Sequence, residues 1–174
     1  KYIPRRFHGP LEFVAKTVFT FPAQVKNRLS SKGFYCKALN GESAYNICVN
    51  SDMTVSCNCS DFDGSGHIGN LREQSLKEIF DGKTARTFRE KLAKGLFAIP
   101  KCAGCSELAT VDRKDAVNRV ESYDLPSRGI MVENTVNCNL KCTFCDRAKI
   151  YSTRGSRFMS LEDMEKVATT IRDY

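Results

Sequence analysis

Cys138, Cys142 and Cys145 stand in the run Cys138-Asn-Leu-Lys-Cys142-Thr-Phe-Cys145, a C-x3-C-x2-C spacing. Three thiolates this close in sequence can grip one metal centre. They suit a cubane iron-sulfur cluster with one iron left unligated by protein, because thiolates stabilise such clusters and no fourth cysteine or any histidine stands nearby. An open iron can accept a substrate or cofactor. A structural zinc takes four protein ligands, so three cysteines make an incomplete zinc site.

A second set lies upstream: Cys36, the pair Cys57 and Cys59, and Cys102-Ala-Gly-Cys105, a C-x2-C in which Gly104 is expected to let the backbone fold tightly. A tetrahedral zinc on Cys57, Cys59, Cys102 and Cys105 is the structural alternative here. Against it, 42 residues separate the two pairs, where the usual zinc pattern has about 15 to 20. Cys48 sits mid-strand and reads as a small buried hydrophobe. The chain has nine cysteines, an odd number, grouped in tight clusters, which favours metal ligation over disulfides. With no secretory leader pattern at the start, a reducing cytoplasm is expected.

Elements must position these thiols. Ala44–Val49 and Met53–Cys57 are β-rich runs around the turn formers Asn50-Ser51-Asp52, which predicts a hairpin. The strand period of two would place Val55, Cys57 and Cys59 on one face. Ser75-Leu-Lys-Glu78 reads as a capping box opening a short helix to Phe80, and Thr84–Lys94 as a second helix ended by Gly95. Gly129-Ile-Met-Val-Glu133 suits a buried parallel strand leading into the three-cysteine loop. Met164, Val167, Ala168 and Ile171 recur at helical spacing behind Ser160, so Leu161–Tyr174 is expected to be helical.

The 174 residues carry 41% hydrophobic and 27% charged side chains, the balance of a folded chain with one or two small domains. No apolar run is long enough to span a membrane. The net charge of +7 concentrates in residues 1–35, where seven cations face Glu12 alone. They never form the dense cluster of a polybasic site, so there is no strong nucleic-acid signal and the bland reading is a solvated packing segment. Four stretches result: a basic leader at 1–35, a cysteine-bounded unit at 36–108, a polar linker at 109–127 and a final segment at 128–174. Lys1 in place of an initiator methionine, and a helical pattern still running at Tyr174, read as the ends of a piece of a longer protein.

The three-cysteine loop, with Phe144 before its last cysteine, resembles the signature of the radical SAM enzymes. That resemblance implies a 4Fe-4S cluster on Cys138, Cys142 and Cys145, S-adenosylmethionine on its remaining iron, and Phe144 beside the adenine. Reductive cleavage to a 5′-deoxyadenosyl radical, fed by an electron donor, would abstract hydrogen from a substrate. Peptides are one substrate class, with carbohydrates and small molecules also open. Residues 36–105 resemble the SPASM type of auxiliary cluster domain through Cys36, the hairpin, His67-Ile-Gly-Asn-Leu71, Ser75-Leu-Lys-Glu-Ile-Phe80 and the closing C-x2-C. By resemblance Cys36, Cys57 or else Cys59, Cys102 and Cys105 ligate a second cluster. The fold expected is α/β: a small cysteine-rich α+β cluster domain, then the first strand-loop-helix unit of a partial (β/α) barrel. In the family this domain mostly follows the barrel; here it precedes the loop. The competing class is a non-catalytic binding module that zinc or a cluster merely stabilises.

Three other signals are weak. Gly64-Ser-Gly-His-Ile-Gly69 has the dinucleotide spacing, but its glycines open no helix, so it reads as a flexible turn with a solvated His67. Asp61 and Asp63 lack the terminal glutamate of a calcium loop and read as turn formers.

Overall fold

The computed structural model describes residues 22, 24–27, 29–116, 129–143, 145 and 147–173. Among them the elements run β1 (Lys32–Cys36), β2 (Ile47–Val49), β3 (Thr54–Ser56), β4 (His67–Asn70), α1 (Leu76–Phe80), α2 (Lys83–Ala93), β5 (Leu108–Asp112), β6 (Ile130–Val132), α3 (Arg147–Thr153) and α4 (Leu161–Arg172). None of these helices is long and apolar enough to cross a membrane. The described parts of residues 1–36 and 87–118 form one compact unit, and those of 37–86 and 119–174 another.

In the first unit β1 and β5 pair antiparallel, from Lys32↔Asp112 to Cys36↔Leu108. Buried Phe34 stacks on Phe97 with ring centroids 4.7 Å apart. Gly95 takes φ +76°, a conformation glycine adopts without a Cβ clash, and the amides of Gly95 and Leu96 cap the carbonyls of Leu92 and Lys91. The linker expected from Ala109 is therefore corrected at its start: Leu-Ala-Thr-Val-Asp is a strand because β1 offers it a partner. Leader residues 1–21 and linker residues 117–127 lie outside the described residues.

In the second unit the sheet order is β4-β3-β2-β6. The expected hairpin forms, with Cys48↔Ser56 and Val49↔Val55 paired antiparallel. Its turn is polar yet buried: Nδ2 of the Asn50 side chain donates to the hydroxyls of Thr54 and Ser56 at 3.0 and 2.9 Å, and Met53, at φ +68°, turns a fully buried side chain into the core. The flexible turn expected at Gly64–Gly69 is corrected in its second half. His67–Asn70 pairs antiparallel with β3, and a Cβ on Gly69 would come within 2.6 Å of Ile79, so this glycine admits α1 against the strand. The capping box is present, with the Glu78 amide donating to Ser75 Oγ and the Ser75 amide to the Glu78 carboxylate. Leu76, Ile79 and Phe80 turn inward from α1, each such side chain stabilising the core by about 1.5–3 kcal/mol.

β6 joins the free edge of β2 in parallel, Ile47↔Ile130 to Val49↔Val132. The expectation of a parallel strand holds and that of burial does not, since β6 is half-buried throughout and is an edge strand of its sheet. Two helices follow the loop where one was expected. α4 is capped as its sequence implies, with the Asp163 amide donating to Ser160 Oγ at 3.1 Å.

Candidate metal centres

Cys138, Cys142 and Cys145 are all exposed, on the loop between β6 and α3. The loop is tied at its base. Thr135 bridges to Phe158, the Val136 amide donates to the Arg157 carbonyl at 2.9 Å, and the Met159 amide donates to the Asn134 carbonyl at 2.9 Å. Within the loop the Leu140 amide donates to Cys138 Sγ at 3.4 Å, and the Cys145 amide to the Cys142 carbonyl at 3.2 Å. From α3, Tyr151 Oη accepts from the Cys138 amide at 3.4 Å, and Arg147 donates to the carbonyls of Cys138 and Leu140. The donor set fits a thiolate-bound iron-sulfur cluster: three sulfurs stand on one short bend, and an amide N–H already faces one of them, as such hydrogen bonds do when they stabilise cluster sulfur. Phe144 lies outside the described residues.

A buried ion pair brackets this excursion. Arg154, whose side chain is 1% exposed, puts Nε and Nη2 on the two carboxylate oxygens of Glu133 at 2.7 and 3.0 Å. Nη2 also donates to Asn50 Oδ1 at 3.0 Å and to the Phe62 carbonyl at 2.9 Å. Burial alone would weaken the Arg154 charge, but the hydrogen bonds and charge of Glu133, with Asp52 and Asp61 behind them, hold its pKa above the usual arginine value. Beside it, the Gly155 amide donates to Asp52 Oδ2 at 2.9 Å and Ser51 Oγ to the Ser156 carbonyl at 2.8 Å. The hairpin turn thus seats both ends of the segment that carries the three cysteines. Lys149 adds a further tie, 2.8 Å from Asp63.

The upstream cysteines are half-buried. Cys36 ends β1 opposite Leu108, whose amide donates to the Cys105 carbonyl at 3.2 Å, and the Cys105 amide in turn donates to the Cys102 carbonyl at 3.3 Å. Backbone pairing therefore gathers Cys36, Cys102 and Cys105 at one end of the β1–β5 ladder. Pro100 opens the 3-10 turn that holds the C-x2-C. A Cβ at Gly104 would meet nothing within 4 Å, and its φ is ordinary, so the expected need for glycine there is corrected. Cys57 and Cys59 belong to the other unit. The expectation that one strand face presents both is also corrected: β3 stops at Ser56, after an irregularity between Val55 and Ser56. Asn58 between them turns in, 3% exposed, onto Ser43 Oγ at 2.8 Å.

Cys48 is fully buried, and its thiol is pushed up to about 12 by burial first and then by Cys59 and Asp61, which keeps it a neutral packing group. Asp61 accepts from Ser65 Oγ and the Gly66 amide, and Asp63 from the Ser65 amide, the hydrogen bonding of turn formers. Exposed His67 lies 3.0 Å from the Gly64 carbonyl through Nδ1. Among the described residues, no group of three or more His, Cys, Asp or Glu side chains is drawn to metal-holding range. Sequence reasoning missed Arg147 and Tyr151, although their spacing of four would put them on one helix face, and it missed the Glu133–Arg154 pair, which no local pattern marks.

Residues 36–106 match the SPASM family, an iron-sulfur cluster-binding domain. The match gives this stretch an iron-sulfur cluster-binding role and ends before the three-cysteine loop. Neither a curated protein nor a solved structure matches the chain significantly.

Proposed function

We propose that the chain is part of a radical SAM enzyme, with an auxiliary cluster in residues 36–108 and the start of the catalytic domain in 128–174. In this reading β6 and the helices after it are the first unit of a partial (β/α) barrel. Cys138, Cys142 and Cys145 would hold the catalytic 4Fe-4S cluster, and Phe144 would line the adenine. Cys36, Cys57, Cys102 and Cys105 would hold the second cluster, with Cys59 as substitute for Cys57. The catalytic cluster, when bound with S-adenosylmethionine, supplies reductive cleavage to a radical that abstracts substrate hydrogen. The chain's own part is to fix the thiols on a loop tied at its base.

One observation carries the reading: three exposed thiols on a loop tied at its base, with an amide already directed at one sulfur. The SPASM match supports it, because such domains accompany radical SAM chemistry. A peptide substrate, a separate electron donor and a cytoplasmic setting complete the proposal.

Anaerobic reconstitution followed by iron, sulfide and zinc counts tests it. Two cubanes give about eight irons per chain, and a zinc-stabilised module gives about one zinc per site. S-adenosylmethionine and dithionite added to the gene's full product should yield 5′-deoxyadenosine; no such product from cluster-loaded protein overturns the enzyme reading.

A further inference from the structure

Arg147 opens α3 two residues after the last cysteine and is half-buried. Its Nη1 donates to the Cys138 carbonyl and, at 2.9 Å, to the Leu140 carbonyl. Those carbonyls flank the turn in which the Leu140 amide donates to Cys138 Sγ. The guanidinium also lies 5.5 Å from the centre of the Tyr151 ring, whose hydroxyl accepts the Cys138 amide. Arg157 lies over the same ring at 4.6 Å. Cys138 is thus held through its amide, carbonyl and sulfur, while no comparable side-chain hold reaches Cys142 or Cys145 among the described residues. Both bonds come from Nη1, whose two N–H groups the planar guanidinium holds in fixed directions, whereas a lysine ammonium rotates freely on a flexible stem and holds two carbonyls less firmly.

We propose that Arg147 is a positioning residue for the catalytic cluster: it pins the Cys138–Leu140 turn, and its positive charge beside the site makes the cluster easier to reduce. The inference rests on the proposed function. A cation near a cluster favours the reduced form, which carries one more negative charge, and so raises the reduction potential. The loop's hydrogen bonds set the sulfur's orientation, and loss of such outer partners typically weakens metal binding about 10- to 100-fold.

The test uses the reconstituted full chain with Arg147→Gln and Arg147→Lys. Cys138→Ala identifies which paramagnetic signal belongs to this cluster. Iron release to a chelator and the midpoint potential of that signal are read without any turnover assay. Arg147→Gln should release iron about 10-fold faster and titrate at a more negative potential. Arg147→Lys should keep a potential near that of the unsubstituted chain while still releasing iron faster. An unshifted potential in folded Arg147→Gln overturns the inference, and the proposed function stands. If Arg147→Gln does not fold, Arg147→Lys decides, and unchanged iron release there overturns the inference. If the unsubstituted chain loads no cluster that depends on Cys138, the proposed function fails and the inference falls with it.

Discussion

Cys138, Cys142 and Cys145 face solvent on a loop held by hydrogen bonds, whereas Cys36, Cys57, Cys59, Cys102 and Cys105 are half-buried where strands end and turns begin. The same atom is thus offered in two ways. A metal with every protein ligand supplied from packed backbone is closed and structural or electron-relaying in character. Under the proposed function, one held from an exposed bend would keep a side open for a second molecule, so exposure would distinguish the two proposed sites where cysteine count alone would not.

The largest effect should break the comparison at its exposed end: Cys138→Ala should remove deoxyadenosine formation altogether and about half the iron, about four of eight atoms by chemical assay. At the half-buried end, Cys57→Ser should lose the other half of the iron and Cys59→Ser should keep it; the opposite result would make Cys59 the ligand. Arg154→Met asks whether the exposed loop depends on its buried seat. It leaves Glu133 without its partner and should cost about 3 kcal/mol in denaturant unfolding, the low end for a buried pair because Glu133 keeps some water contact.

The smallest effect is one of pH. The Arg72 fork, at 3.0 and 2.7 Å, opposes partial burial and, with Ser160, lowers the pKa of the Asp163 carboxyl to about 2. A lowered carboxyl stabilises the fold fully above its unfolded value near 4 and loses that contribution as pH falls toward 2. Since Arg72 is half exposed, the gain is about 1 kcal/mol after solvent screening. Asp163→Asn should be less stable than the unsubstituted chain at pH 6 and should lose part of that deficit by pH 2.5, as followed by thermal melts. Asp52, whose pKa is lowered by Thr54, Gly155 and Arg154 against the pull of its own burial, adds to the acid loss in both.

Local chemistry was readable in the sequence. Ser75 with Glu78, Ser160, Gly95 and the Asn50-Ser51-Asp52 turn each announce an element through groups within a few residues, and each stands where expected. Long-range pairing was not. β5 looks like a linker until β1 lies beside it, and β4, with Gly69 and Asn70, lacks the alternation of a strand until β3 pairs with it, its glycine leaving room for Ile79 of α1. The three thiols of the exposed loop were legible from spacing alone. The residues that hold the loop were not, since Glu133 and Arg154 meet across 21 positions, and their seat on Asn50 lies 104 positions from Arg154.

The parallel register of β2 with β6 also bears on the order of events during folding. Cys48 reaches Ser56 through a tight hairpin but reaches Met131 only across nearly half of the chain. Closing the longer loop costs about 2 kcal/mol more in chain entropy, so the hairpin should be in place before β6 docks. A nascent chain would then build the seat first and receive the cysteine segment later, as a late-arriving strand on a finished template.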